Sequence, residues 1–404
     1  MNTEPPPSQP RRALVLGLAR SGRAAQAALE AGGTEVVAAD RTLGNDEDLA
    51  LLEGVDVLVK SPGVPGEAPL VTAAREQGIP VWSEIELASR LLPNPILGVT
   101  GTNGKTTTTE LLGAMLGART AGNVGTALSE LVGDVPAEEW VVCELSSFQL
   151  EDVERFRPSV AVLLNLEPDH LDRHGGFDAY REAKLRIFEN QDEDDVAVVP
   201  RGFGPVPGRA RRVEFAADDE LPAEPLIPGA HNRENAAAAT AAARAAGVDD
   251  ETIAVALRTF PGVEHRLELV AEIAGVRYVN DSKATNTAAA RRALTAYDAP
   301  LHLILGGRPK GESWGDLAKD VAAADVVTAY LIGEAAGPLS VDLGYENVPF
   351  LISVTLERAL TEAASVARRG ELVLLSPACA SYDQFRDYEH RGEEFRRLVQ
   401  NLEG

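Results

Sequence analysis

Short runs of consecutive apolar residues recur along the chain, most of them followed by an Ala- and Leu-rich stretch whose apolar positions return every three or four residues. The clearest strand-like runs are Ala13–Gly17, Glu35–Asp40, Val55–Lys60, Ile96–Gly101, Trp140–Ser146, Val160–Leu166, Val276–Asp281, Leu301–Gly307, Val326–Gly333 and Glu371–Ala378. Strands apolar on both faces, alternating with helices, predict parallel sheets covered on each side. The expected class is doubly wound α/β. Two seams break the alternation. Pro93-Asn94-Pro95 interrupts a helical stretch before a new strand, and Phe260-Pro261-Gly262 follows a long Ala-rich helix. They divide the chain into 1–93, 94–261 and 262–404, each of domain size. Residues 201–230, rich in Pro, Gly and Arg, read as an irregular connection. Ala236–Ala246 reads as a tightly packed helix, and no internal repeat is visible.

Composition narrows the function classes. The 404 residues include 38 basic and 62 acidic ones, a net charge of −24. So acidic a surface repels phosphate backbones and anionic lipid, which argues against nucleic-acid or membrane-surface binding. No apolar run approaches the ~20 residues of a bilayer span, and Met1–Arg12 lacks the apolar core of a secretory signal. Two cysteines, Cys143 and Cys379, make neither a disulfide framework nor a four-ligand zinc site. Both read as reduced, buried thiols of a cytoplasmic protein. Any anionic substrate must then be held by a few local cations.

The strongest chemical signal is Gly98-Val-Thr-Gly101-Thr-Asn-Gly104-Lys105-Thr106, between a strand and a helix. Glycines let backbone N–H groups curl round phosphate oxygens, Lys105 reaches the β and γ phosphates, and the Thr106 hydroxyl is placed for magnesium. The glycines stand at 98, 101 and 104, so the strict phosphate-loop spacing is not met. A weaker Gly-rich turn, Gly17-Leu-Ala-Arg-Ser-Gly22 with Asp40 after it, supports a nucleotide-type ligand or a plain turn equally well. Glu144-Leu-Ser-Ser-Phe-Gln149 and Asn165-Leu-Glu-Pro-Asp-His170-Leu-Asp-Arg-His174 put polar groups at strand ends, where α/β ligands bind. His170, among acids, is placed for magnesium or substrate. Lys184 shares a helix face with Tyr180 and Phe188, and spacing alone makes it a snorkelling surface lysine. His231-Asn-Arg-Glu-Asn235 opens the Ala-rich helix, where an Asn cap is the simplest account. In the last segment, Asn280-Asp-Ser-Lys-Ala-Thr-Asn286, Gly306-Gly-Arg-Pro-Lys-Gly311 and Ser376-Pro-Ala-Cys-Ala-Ser381 each follow a strand. Three polar loops at one sheet edge point to a site.

Together these motifs resemble the Mur ligase family, the ATP-dependent amino-acid ligases of peptidoglycan synthesis. The resemblance runs from about residue 12 to the end. Thr100-Gly-Thr-Asn-Gly-Lys-Thr106, Glu144, His170, Lys184, His231-Asn232 with Asn235, and His265-Arg266 carry it family-wide. Glu144-Leu-Ser-Ser-Phe-Gln-Leu150, Asn280–Asn286 and Ser376–Ser381 resemble the branch that adds D-glutamate to UDP-N-acetylmuramoyl-L-alanine, and the Asp-Asn-Pro-Arg motif of the diaminopimelate-adding branch is absent.

The resemblance implies three domains: a Rossmann-like N-terminal one for the UDP substrate, a central phosphate-loop ATPase with a mostly parallel sheet, and a Rossmann-like C-terminal one for the amino acid. ATP would phosphorylate the substrate carboxylate, and the D-glutamate amine would attack the acyl phosphate. Gly101, Thr102, Asn103, Gly104, Lys105, Thr106 and Thr107 would cradle ATP, with Asn235, Arg266 and Asp281 on adenine, phosphate and ribose. Thr106 and Glu144 would hold one magnesium, His170 would help place a second, and Lys184 would carry a carbamate reaching the metal. Gly17, Arg20, Ser21, Asp40, Arg41, Ser61, Asn123 and His170 match the UDP-substrate positions. Lys283, Thr285, Lys310, Ser381, Tyr382 and Tyr388 match the D-glutamate pocket. The expectation is a monomer in the cytoplasm. Arg20 departs from the small residue usual in the UDP turn, and Tyr382 and Tyr388 stand where Leu and Phe are common. The chain is short for the family, with trimming expected between 190 and 226. Two alternatives compete: a related folate ligase, and a regulator that has lost catalysis. Some 90 residues before the phosphate loop argue against the first. Retention of Lys105, Glu144, His170 and Lys184 argues against the second.

Overall fold

The apolar runs fold as strands, and their registers decide where the loops go. The computed structural model describes residues 10–309, 311 and 313–402, the side chains of 171 and 172 excepted. Strands β1 (Arg12–Leu16), β2 (Glu35–Ala39), β3 (Val57–Lys60) and β4 (Val81–Ser83) form a parallel sheet in the order β2-β1-β3-β4. Leu16 lies opposite both Ala39 and Lys60, so Gly17, Asp40 and Ser61 leave the sheet along one edge.

The second sheet contains β5 (Ile96–Thr100), β6 (Arg119–Gly122), β7 (Val141–Glu144), β8 (Val160–Leu163), β9 (Val196–Pro200) and β10 (Arg211–Phe215). Its order is β10-β9-β8-β5-β7-β6, all parallel. Val99 opposite Glu144 and Thr100 opposite Leu163 bring the phosphate loop, Glu144 and Asn165 to neighbouring strand ends. The third sheet holds β11 (Glu268–Ile273), β12 (Val276–Asn280), β13 (Leu301–Gly306), β14 (Val326–Ile332), β15 (Phe350–Val354) and β16 (Leu372–Leu375). It runs β11-β12-β16-β13-β14-β15, with β11 alone antiparallel. The loops after β12, β16 and β13 are therefore side by side.

Contacts divide the chain into two units, Met1–Leu226 with His231–Phe260, and Ile227–Ala230 with Pro261–Gly404. In the first unit both leading sheets are present and joined by buried carboxylates. Glu86, in the helix Glu84–Leu91, accepts N–H bonds from Glu154 (2.9 Å), Arg155 (3.0 Å) and Phe156 (2.8 Å), and pairs with Arg90 at 2.6 Å. Glu84 accepts from the N–H and hydroxyl of Ser129, both at 2.6 Å, and its burial pushes its pKa up to about 7. Lys60 meets Asp152 at 2.9 Å. Around these the core is aliphatic, each fully buried Leu, Ile or Val worth roughly 1.5–3 kcal/mol.

Six strands lie outside the apolar runs named above, five of them at sheet edges and one, β9, buried between β8 and β10. The supposed irregular stretch 201–230 contains β10, and β4, β6, β9, β11 and β15 were not anticipated either. Edge strands are half solvated, so Arg211-Arg-Val-Glu-Phe215 reads as polar although it pairs along its whole length with β9. His231–Asn235 also differs: the helix Ala230–Ala245 starts before it, so Asn235 lies inside the helix and is not its cap.

Candidate active site

The phosphate loop leaves the end of β5 and turns into the helix Lys105–Leu116. Gly104 has φ +83°, and a Cβ there would stand 2.2 Å from the Asn235 Oδ1. Glycine thus serves two needs, a left-handed turn and the close approach of Asn235. The loop is clamped from β8: the Asn103 N–H donates to Asn165 Oδ1 at 2.9 Å, and Asn165 Nδ2 donates back to the Asn103 carbonyl at 3.1 Å. Thr102 Oγ1 lies 2.9 Å from the Tyr180 hydroxyl.

Two lysines converge on one carbonyl. Lys105 Nζ donates to the Gly101 oxygen at 2.8 Å and to Thr102 at 2.9 Å, and Lys184 Nζ donates to the same Gly101 oxygen at 2.8 Å. Lys184 is not the surface lysine that spacing suggested: it is 2% exposed and buried with Tyr180 and Phe188. Burial first, and the charge of Lys105 second, bring its pKa down to about 6. A large fraction of this amine is therefore neutral, hence nucleophilic, near pH 7.

Glu144, at the end of β7, is 2% exposed. Its Oε1 accepts from Asn123 Nδ2 at 3.0 Å, while its buried Oε2 has no hydrogen-bond partner. An orphaned carboxylate oxygen beside a phosphate-binding loop is what a divalent cation would satisfy, so the donor set fits magnesium. His170, at φ +50°, is half exposed, its Nε2 3.5 Å from the neighbouring Asp169. Among the described residues no three His, Cys, Asp or Glu side chains converge as a ready-made metal cluster.

On the first sheet's edge, Asp40 accepts from the Leu18 N–H (2.6 Å) and from Thr42 (2.8 Å), bonds that hold its pKa down to about 2. Ser61 Oγ donates to the Gly17 carbonyl at 2.6 Å. Gly17, Asp40 and Arg41 line a cavity of about 610 Å³ together with Gly63–Pro65. Arg20 instead reaches the Gly125 carbonyl at 2.6 Å, in the loop that also holds Asn123, and Ser21 lies beside it in the same turn.

In the second unit Asp281 is buried at the end of β12, accepting from Ser376 Oγ at 2.8 Å, and burial raises its pKa to about 7 against the lowering by Arg266. The Lys283 N–H donates to the His265 carbonyl, its ammonium is 5.9 Å from the Tyr388 ring, and Thr285 follows in the same loop. Ser381 is buried, whereas Tyr382 is 64% exposed. Lys310 lies outside the described residues.

The unforeseen member is Arg391, fully buried in the helix Tyr388–Gln400. It donates to Ser282 Oγ (2.9 Å) and to the carbonyls of Ser282 (2.8 Å) and Cys379 (3.1 Å), tying two of the three polar loops together. Its sequence neighbourhood is an ordinary charged helix, so no local signal marked it. Asn165 was within a quoted motif but had no role.

The chain is similar to known proteins over nearly its whole length. Residues 99–202 match the Mur ligase middle domain, and 265–379 match the Mur ligase, glutamate ligase domain. The chain is 40% identical to the UDP-N-acetylmuramoylalanine–D-glutamate ligase of Acidobacterium capsulatum, covering 96% of each. It is 43% identical to the protein of the same name from Anaeromyxobacter dehalogenans, covering 96% of this chain and 97% of the relative. The first alignment spans 444 positions against 404 residues, so at least 40 positions are gaps in this chain, which is the shorter one. A solved UDP-N-acetylmuramate–alanine ligase from Thermotoga maritima shares the fold at 19% identity, with a TM-score of 0.60 over 98% of this chain and all of that one. The chain belongs to the Mur ligase family of ATP-dependent amide-forming ligases.

Proposed function

We propose that the protein joins D-glutamate to UDP-N-acetylmuramoyl-L-alanine at the expense of ATP, as the names of its relatives state for them. The observation that carries the reading is Lys184, a buried lysine of lowered pKa sharing the Gly101 carbonyl with Lys105. A carboxylate is a poor electrophile, so it is first phosphorylated. Its oxygen forms a bond to the γ-phosphorus, the bond to the β-bridging oxygen breaks, and ADP leaves. The D-glutamate amine then bonds to the acyl carbon, phosphate departs, and the nitrogen loses a proton.

In this reading Lys105 and the N–H groups of Gly104–Thr107 neutralise phosphate charge as it shifts to the leaving ADP. Magnesium, when bound by Thr106, Glu144 and the environment of His170, supplies further charge neutralisation between the anionic reactants. The neutral Lys184 amine would add to CO2 and give up a proton, forming a carbamate whose anionic oxygen could join Thr106 and Glu144 in holding magnesium. Two ions are the expected complement. Asp40 and Ser61 shape the UDP turn around Gly17, and Arg41 and Ser21 face the nucleotide there. Asn123 holds Glu144, and Asn235, Arg266 and Asp281 keep the nucleotide contacts that the family resemblance implies. Lys283, Thr285, Ser381, Tyr382, Tyr388 and Lys310 form the acceptor pocket, in which lysines pair with the carboxylates of D-glutamate. The same reading takes 1–93, 94–261 and 262–404 as substrate, ATP and amino-acid domains of a cytoplasmic monomer.

The test is ADP release by purified protein with ATP, magnesium and UDP-N-acetylmuramoyl-L-alanine, adding D- or L-glutamate in turn. Release that depends on D-glutamate alone is expected. Turnover with a folate and L-glutamate instead would overturn the reading and the acceptor-pocket assignment with it.

A further inference from the structure

The motif Asn165–His174 ends on a histidine that the chemistry above leaves unused. Its side chain is 3% exposed and makes two polar contacts, both with the turn that follows β7. Nε2 is 3.0 Å from Ser147 Oγ, and Nδ1 is 3.2 Å from Glu151 Oε1. Nε2 and the Ser147 hydroxyl share a hydrogen bond, and Nδ1 faces the Glu151 carboxylate. The ring is stacked on Phe148 (centroids 5.4 Å, planes 12° apart) and meets the edge of Tyr180 at 5.3 Å.

These contacts join three pieces of backbone. Ser147 follows Glu144 by three residues. His174 closes the short helix Leu171–His174, with its own N–H and that of Arg173 bonded to the His170 carbonyl. Tyr180 is in the helix Phe177–Leu185 that carries Lys184, whose ammonium sits 4.8 Å from the Tyr180 ring. The His170 ring also packs on Phe148 at 5.0 Å. The carriers of Glu144, His170 and Lys184 thus all meet at one imidazole.

We propose that His174 is a positioning residue, setting the mutual placement of Glu144, His170 and Lys184 through its bond to Ser147, its approach to Glu151 and its packing against Phe148 and Tyr180. The proposal rests on the metal and carbamate roles given to those three residues. An imidazole bonded to a hydroxyl at one nitrogen, facing a carboxylate with the other and stacked on a ring has one orientation, so it transmits position where a merely apolar plug would only fill space.

The experiment compares His174→Phe, which keeps the stacked ring and loses both polar contacts, with His174→Gln, whose amide can bond Ser147 and face Glu151. Mn2+ is titrated into full-length protein with saturating ADP and followed by electron paramagnetic resonance, beside steady-state kinetics and thermal melting. For His174→Phe we expect Mn2+ affinity and kcat each to fall about tenfold or more, with KM for ATP and the melting temperature close to wild type. His174→Gln should recover most of both losses, and adding Ser147→Ala to His174→Phe should cost little more. Wild-type Mn2+ affinity in a folded His174→Phe protein would overturn the proposal, as would a glutamine variant no better than the phenylalanine one. Glu144→Gln serves as the reference: unchanged Mn2+ binding there would remove the site reading itself, a failure distinct from that of His174.

Discussion

Lys184 shows how much of a residue's chemistry lies outside its local sequence. Its pKa of about 6 against 10.5 in a free lysine means that, between those values, the unfolded chain binds a proton the folded one does not. Stability therefore climbs with pH across this window, by up to about 1.4 kcal/mol per unit, and the unfavourable contribution is complete below about pH 6. Lys184→Met should abolish ligase turnover and yet, in CO2-free buffer at pH 7, melt higher than wild type. The difference should narrow as the pH approaches 10. A lower melting temperature at pH 7 would mean that this amine is not destabilised by burial. The helical spacing of Tyr180, Lys184 and Phe188 was visible in the sequence. Whether their shared face looked to solvent or to the phosphate loop was not, because that depends on where β5 and β8 put Gly101 and Asn165.

Among elements, the pieces easiest to read were the central strands and the loop after β5, where an apolar run, glycines and a lysine are contiguous. The joints between elements were invisible. Glu86 looks like any acid in an amphipathic helix, yet it is fully buried and binds three successive N–H groups of 154–156, some 70 residues away in sequence. Its removal leaves those donors unsatisfied and Arg90 with Glu154 as its remaining carboxylate partner. Glu86→Ala should therefore cost about 3–5 kcal/mol, the range for breaking a buried ion pair, measured by urea denaturation. Glu86→Gln, which keeps a carbonyl acceptor, should lose less. A loss below about 1 kcal/mol, the worth of an exposed pair, would show that the clasp adds nothing to the joint between the two leading sheets.

At the scale of the whole molecule the dominant fact is the charge of −24 on a chain whose proposed substrates are all anions. The fold's answer is local, with Lys105 held at the phosphate loop by the Gly101 and Thr102 carbonyls and Arg391 buried beneath two loops in the second unit. Self-repulsion of the remaining surface is screened by salt. Raising the ionic strength from about 0.01 M to about 1 M shortens the screening length from roughly 30 Å to roughly 3 Å. KCl should raise the melting temperature over this range, and a fall would show that attractive surface pairs outweigh the net repulsion.

The α/β class, the phosphate loop and the family followed from the residues alone, because each rests on a contiguous pattern that the backbone must obey locally: buried parallel strands are apolar throughout, and a phosphate cradle needs glycines followed by a lysine. The family's shared motifs then named Glu144, His170 and Lys184. Tertiary structure decided the rest. It alone buried Lys184, left one oxygen of Glu144 without a partner, ran Arg391 under two loops and set His174 between Ser147 and Glu151. The reason is physical: pKa values, orphaned atoms and side-chain contacts are properties of distances between residues far apart in the chain, and those distances exist only once the sheets have closed their registers.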